Sequence, residues 1–122
     1  MKESRQGQKP NLLNFANNVL LSKDKRGAYN ISTGEQSPDT GYFVPLVRED
    51  CSEVSKDRIH EFWKDHSTLL ADENLWLLIY HDGKDWVYSV SKFVIGWNNA
   101  LLTSQLLERK VFENSTGDII TT

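Results

Sequence analysis

Three histidines and a single cysteine are the side chains of this 122-residue chain best suited to acid–base, metal or nucleophilic chemistry. Imidazole changes charge near neutral pH without perturbation, so histidine comes first. His60-Glu61 opens like the helical His-Glu-x-x-His zinc motif, in which two imidazoles four residues apart share a face. Position 64 is Lys, and His66 falls roughly 240° round a helix from His60. No metal is expected on this helix: His66 reads as a hydrogen-bonded edge of the core and His60 as solvated. His60 or His81 beside a carboxylate is the arrangement an enzyme would require. Cys51 stands among Glu49, Asp50 and Glu53, and negative neighbours oppose the thiolate that nucleophilic chemistry needs. The acyl-transfer elbow Gly-x-Ser-x-Gly is missing, as are the glycine-rich loops that cradle phosphates and dinucleotides. The expectation is a non-enzymatic protein with no catalytic residue, metal or cofactor.

Charge offers the more regular pattern. Asp50, Glu53, Asp57, Glu61 and Asp65 recur at intervals of 3, 4, 4 and 4, which aligns them along one side of a helix. Such a stripe can present carboxylates to a basic groove, for example the nucleic-acid channel of an enzyme, through an attraction that salt screens. A solvated face opposite Ile59, Phe62, Trp63 and His66 is the simpler account of the same spacing. The positive charge is gathered elsewhere: Lys2, Arg5, Lys9, Lys23, Lys25 and Arg26 give residues 1–26 a net +4, while the remaining 96 residues sum to −7. A basic end of this kind can touch nucleic-acid phosphates or an acidic partner. Its one aromatic, Phe15, falls on a core position, so no base-stacking platform is expected and a solubilising tail is the simpler reading. Tryptophan concentrates at interfaces. Trp63 and Trp86 fall on core positions, which leaves Trp76 and Trp97 as partner-binding candidates.

These side chains must be positioned by a small set of elements. Leu12, Phe15, Ala16, Val19 and Leu20 follow one face of a helix over 10–22, and Gly27 is placed to end it in the left-handed conformation. Residues 28–36 read as a strand, a Ser-Thr-Gly turn and a return, and 41–47 as a strand in which Pro45 demands an edge or a bulge. Ser52 or Ser55 caps a second helix running to about 67. Strands 75–80 and 86–90 flank Asp82-Gly83, which predicts a two-residue hairpin pairing Ile79 with Trp86, Leu77 with Tyr88 and Leu75 with Val90. The opposite face, with Trp76, Leu78 and Val87, is too apolar for open solvent and implies cover or a partner. Ser91 starts a third helix holding Val94, Trp97, Asn98, Leu101 and Leu102, with Gly96 inside it at a cost of about 1 kcal/mol, ending near Arg109. A last hairpin covers 110–120. Its turn echoes the first: 28–35 and 111–118 share Ser-Thr-Gly after a helix and a basic pair, which independent choice of one turn chemistry explains more simply than duplication.

The architecture predicted is α+β, a small antiparallel sheet built from hairpins with about three helices packed on it. Residues 1–9 form a flexible basic tail and 10–122 one domain. With 39% hydrophobic residues, 13 aromatics and a net charge of −3, the chain falls outside the disordered class and outside general binders of nucleic acid or anionic membranes. One cysteine excludes an internal disulfide, and no apolar run approaches a membrane span, so a reducing, cytoplasmic setting is expected. The sequons at Asn30 and Asn114 coincide with turns and are read as turns.

Gly27-Ala28-Tyr29-Asn30-Ile31-Ser32-Thr33-Gly34-Glu35, followed by Pro38 and Gly41-Tyr42-Phe43-Val44, resembles a strand, Thr-Gly-Glu turn, Pro and Gly-Tyr-x-Val arrangement found in small modules of phage and conjugative-element proteins, including large polyvalent proteins. The segment from Arg109 to Ile119 is similar to such a module's closing strand and turn. The modules often carry Gln and Ala before that strand, where this chain has Glu108 and Lys110, so no site residue is carried over. The resemblance covers about a quarter of the chain and implies an accessory protein of a mobile element acting on a host defence system, such as a defence nuclease complex. The resulting expectation is a cytoplasmic interaction protein that binds and inhibits a host protein through Asp50, Glu53, Asp57, Glu61, Asp65, Trp76 and Trp97. A toxin-neutralising immunity protein and a nucleic-acid accessory protein using the basic end are the alternatives.

Overall fold

The computed structural model describes residues 12–36, 38, 40–107 and 110–122. Residues 1–9, expected as a tail, lie outside that range, as do Glu108 and Arg109. The elements run α1 (Leu12–Leu21), β1 (Arg26–Tyr29), β2 (Tyr42–Cys51), α2 (Lys56–Asp65), α3 (Ser67–Leu70), β3 (Leu75–His81), β4 (Trp86–Val94), α4 (Trp97–Gln105), β5 (Lys110–Glu113) and β6 (Asp118–Thr121). All strands join one antiparallel sheet in the order β1-β3-β4-β2-β5-β6. This is the α+β architecture that the hairpin and helix patterns predict, with α3 as a short fourth helix.

One face of the sheet is covered by helices. Leu77, Ile79, Tyr88 and Val90 meet Leu12, Phe15 and Val19 of α1 and Ile59 and Phe62 of α2, while α4 lays Ala100 over Val44 and Val111 farther along. The other face closes on itself. Ala28, Phe43, Trp76, Leu78, Tyr80, Val87 and Phe112 form a second apolar cluster, and the Tyr80 ring lies 4.8 Å from Phe112 although two strands separate β3 from β5. Only a strongly curled sheet allows that approach, and twist accumulates across six strands to give one. Arg26 on β1 fastens the curl: Nη2 donates to the Asn114 carbonyl at 3.0 Å and Nη1 to Thr116 O at 3.5 Å, both in the turn that joins β5 to β6.

Local chemistry explains where the elements differ from the sequence pattern. Leu12, Phe15, Ala16 and Val19 are buried as α1 requires, but Leu20 is exposed. The left-handed residue after α1 is Lys25 (φ 54°), and Gly27 instead lies in β1. There a Cβ would stand 2.8 Å from Val19 Cγ2 and 3.2 Å from Phe15 Cε1, so its bare backbone lets α1 sit close on the strand. Pro45 falls where the β2–β4 register slips, between Pro45 and Val47, and past Phe43 β5 no longer pairs with β2. The missing donor therefore meets both expected conditions, a bulge and a local edge. The central hairpin is shifted by two residues from the predicted pairing: Ile79 faces Tyr88, Leu77 faces Val90 and His81 faces Trp86. Asp82 makes the difference, because its carboxylate accepts from Lys84 N at 2.9 Å and Asp85 N at 2.8 Å and so builds a four-residue turn. Those two amides hold the Asp82 carboxyl below its ordinary range. A slip of two preserves the faces. Ser91 starts no helix: β4 continues to Val94, and Gly96 at φ 89° precedes α4 as its N-cap. Finally, both Ser-Thr-Gly turns close identically, with Gly34 N bonded to Asn30 O and Gly117 N to Glu113 O, each at 2.7 Å.

Candidate functional site

Ser55 caps α2 by accepting from Arg58 N at 3.2 Å, and this sets where the acidic pattern begins to be helical. Asp57, Glu61 and Asp65 then follow at intervals of four and are all exposed on one side of α2. Asp57 in the first turn also suits the positive end of the helix dipole. The five-member stripe is not one helical row, because Asp50 belongs to β2 and Glu53 to the connection between the two elements. Asp50 pairs with Arg48 at 3.2 Å and Glu61 with Arg58 at 3.2 Å, and α2 also carries exposed Lys56 and Lys64, so its three carboxylates share the helix with three cations.

Behind this row lies a cavity of about 170 Å³ bounded by Glu49, Cys51, Arg58, Glu61, Asp65 and Tyr88, among others. Cys51 is not left among carboxylates as its sequence neighbours suggest. Arg58 Nε and Nη2 both stand 3.3 Å from its sulfur, and Cys51 is the chief reason that the guanidinium is held still more firmly in its charged form. The buried Tyr88 hydroxyl donates to Glu53 O at 2.9 Å. Burial raises its pKa to about 12 from 10.0, since the phenolate would lose its hydration. The folded state thus favours the neutral phenol, so this contribution is complete below pH 10 and disappears as pH climbs towards 12. Wild-type chain should lose about 2 kcal/mol across that window beyond any loss in Tyr88→Phe. Unfolding midpoints measured from pH 9 to 12 test this, and parallel profiles for the two proteins would refute it.

The histidines are dispersed. His66 sits half-buried against Phe62, with ring centroids 4.5 Å apart and Nε2 3.9 Å from a Glu49 oxygen, at the core edge where its spacing placed it. His60 is half-buried rather than solvated because its ring rests against Trp63, 5.4 Å away. His81 accepts from Gly83 N at 3.0 Å through Nδ1 and meets Trp86 edge-on. A second, polar cleft of about 330 Å³ lies beside Asn18, Asp24, Arg26 and Asn114. Neither cavity is lined by a histidine. Among the described residues no three His, Cys, Asp or Glu side chains cluster to hold a metal.

The remaining candidates separate by burial. Lys2, Arg5 and Lys9 lie outside the described residues, and Lys23 and Lys25 are exposed. Arg26 is largely buried, lies 3.8 Å from Asp24 and 6.0 Å from the centre of the Phe112 ring, and is committed to the curl of the sheet rather than to phosphate. Trp76 is 6% exposed, within 5.8 Å of Phe43 and 5.7 Å of Phe93, so its indole is core and offers no surface to a partner. The sheet face it occupies has the cover that its apolar composition implied. Trp97 is 38% exposed and meets Tyr42 edge-on at 5.7 Å. Asn30 and Asn114 donate their amides to Glu73 O and to Pro38 O and Thr40 O, so both sequon side chains are engaged inside turns. Sequence reasoning missed the outward leucines of α4: Leu102, assigned to the core, is 62% exposed and Leu106 86%.

No protein-family model matches the chain, and neither the curated proteins nor the solved structures contain a significant match. Among the described residues no helix is long and apolar enough to cross a membrane.

Proposed function

We propose that the chain is a non-enzymatic interaction protein of a phage or mobile element that binds a host protein through a basic surface, and that it inhibits that protein, for example a defence nuclease complex. The observation that supports this most is the exposed row Asp57, Glu61 and Asp65 on a capped, well-anchored helix. Carboxylates fixed at intervals of about 6 Å along a rigid helix can replace nucleic-acid phosphates in a basic channel. The resemblance of 27–44 to mobile-element modules supplies the biological setting.

The test is plating efficiency of phage, and transfer of plasmid, in hosts carrying defined nuclease defences with and without this chain. Wild-type chain should protect the invading DNA. The variant Asp57→Lys/Glu61→Lys/Asp65→Lys should lose at least about tenfold of that protection, and binding to the purified nuclease should weaken with added salt. Unchanged survival in every defended host would overturn the reading.

A further inference from the structure

We infer that the polar cleft between the end of α1 and the β5–β6 turn binds a small zwitterion: a free amino acid, or a molecule carrying the same pair of ammonium and carboxylate. Its walls come from opposite ends of the chain and meet through the curl of the sheet. Asn18, Ser22, Asp24 and Arg26 stand on one side and Asn114 and Ser115 on the other, around about 330 Å³. That is space for a small molecule and little more.

Asn114 is the buried group that points to a ligand. It is 9% exposed, and its amide nitrogen donates to Pro38 O and Thr40 O, which fixes the way the amide faces. Its Oδ1 accepts nothing among the described residues. None of their buried side-chain nitrogens or oxygens lacks a partner, so this oxygen reaches open space, and the cleft is the open space that Asn114 lines. Asn18 repeats the pattern, donating Nδ2 to Gln36 Oε1 at 3.1 Å and leaving Oδ1 unused. Whatever binds here must bring hydrogen-bond donors.

The charges of the cleft decide what else it must bring. Asp24 and Arg26 approach to 3.8 Å, beyond hydrogen-bond length, and Arg26 spends two of its five N–H groups on Asn114 O and Thr116 O. Each charge therefore keeps bonding capacity, and together they leave the cleft neutral. A lone cation or anion would satisfy one and be repelled by the other. A zwitterion answers both, with its ammonium on Asp24 and Asn114 Oδ1 and its carboxylate on the remaining N–H groups of Arg26. The Ser22 hydroxyl accepts from Asp24 N at 3.2 Å and keeps its own hydrogen for that carboxylate. Asn114 and Arg26 are already held by the turn, so binding pays little to order them.

Nuclear magnetic resonance titration of the isotope-labelled full chain with each free L-amino acid tests the inference. At least one amino acid should give saturable shifts centred on the amides of residues 18–28 and 114–116. Acetate and methylamine, which carry one charge each, should bind at least about tenfold more weakly. Asp24→Asn alters an exposed side chain, so it should keep the circular dichroism of the wild type while weakening amino-acid binding at least about tenfold. Asp57→Asn on α2 should leave that binding unchanged, which separates this cleft from the acidic face proposed for a host protein. No saturable shift with any amino acid, shifts centred elsewhere, equal affinity for the singly charged probes, or indifference to Asp24→Asn would each overturn it.

Discussion

Replacing Trp76 by Ala is expected to lower the free energy of unfolding by about 3–5 kcal/mol, the range for truncating a large buried aromatic. The ring is held between Phe43 and Phe93 on the closed face of the sheet and stands opposite Ser91 in the neighbouring strand. Ser91 is fully buried and hydrogen-bonded to Ser89, so two small side chains on β4 leave the space that the indole fills. Truncation leaves a void there that neither serine can occupy, and the aromatic contacts lose their shared partner. A domain of this size has only a few such losses between it and unfolding, because total stabilities run to about 5–15 kcal/mol. Trp97→Ala is the informative companion. Its side chain is 38% exposed and rests on Tyr42 alone among the rings, so about 1 kcal/mol or less is expected. Urea unfolding followed by circular dichroism measures both. Equal small losses would mean that Trp76 is not core and that the closed face is open in solution.

The contrast between these two tryptophans shows which kinds of information were legible in the sequence. Periodicity found what depends on near neighbours: the buried face of α1 apart from Leu20, a serine cap on α2 at Ser52 or Ser55, the conflict at Pro45 and the two faces of the β3–β4 hairpin. It could not find Trp76's cover, because that cover is β5 and Phe93 brought round by the curl of a six-stranded sheet. Arg26 was misread for the same reason, since the carbonyls that bind it are 88 and 90 residues away in sequence. Other errors were local competitions between two chemistries. Asp82-Gly83 favours a two-residue turn, but the Asp82 carboxylate reaches two further amides and lengthens it. Ser91 is a good helix cap, but as the small residue opposite Trp76 it serves the strand. The acidic stripe was half right: a spacing of 3 or 4 is read as helical wherever it occurs, yet the helix cannot begin before its cap at Ser55, which leaves Asp50 and Glu53 outside it.

Gly41→Ala should cost about 3–4 kcal/mol, a loss unusual for adding one methyl group, because two separate penalties fall on the same atom. The backbone there has φ +96°, a conformation that a Cβ disfavours by about 1–2 kcal/mol. That Cβ would also stand 2.5 Å from Cε1 and Cζ of Phe93, whose ring is pinned by Phe43 at 5.1 Å and Trp76 at 5.7 Å. The ring is half-buried, but withdrawing it would loosen its contacts with Phe43 and Trp76, so an overpacking term of about 1–3 kcal/mol adds to the backbone term. Two other glycines separate the contributions. Gly83 shares φ +96° but has nothing within 4 Å of its would-be Cβ, so Gly83→Ala should show the backbone penalty alone. At Gly27, outside the positive-φ set, the Cβ would meet Val19 Cγ2 at 2.8 Å, so Gly27→Ala should show the packing penalty alone. Valine has one strongly preferred rotamer in a helix, and α1 would have to shift away from β1 to relieve the contact. Unfolding free energies of the three variants, measured under one condition, should place Gly41→Ala near the sum of the other two. A value no larger than that of Gly83→Ala would show that Phe93 moves freely, and the aromatic cluster would then be too loose to hold β2 and its acidic end in place.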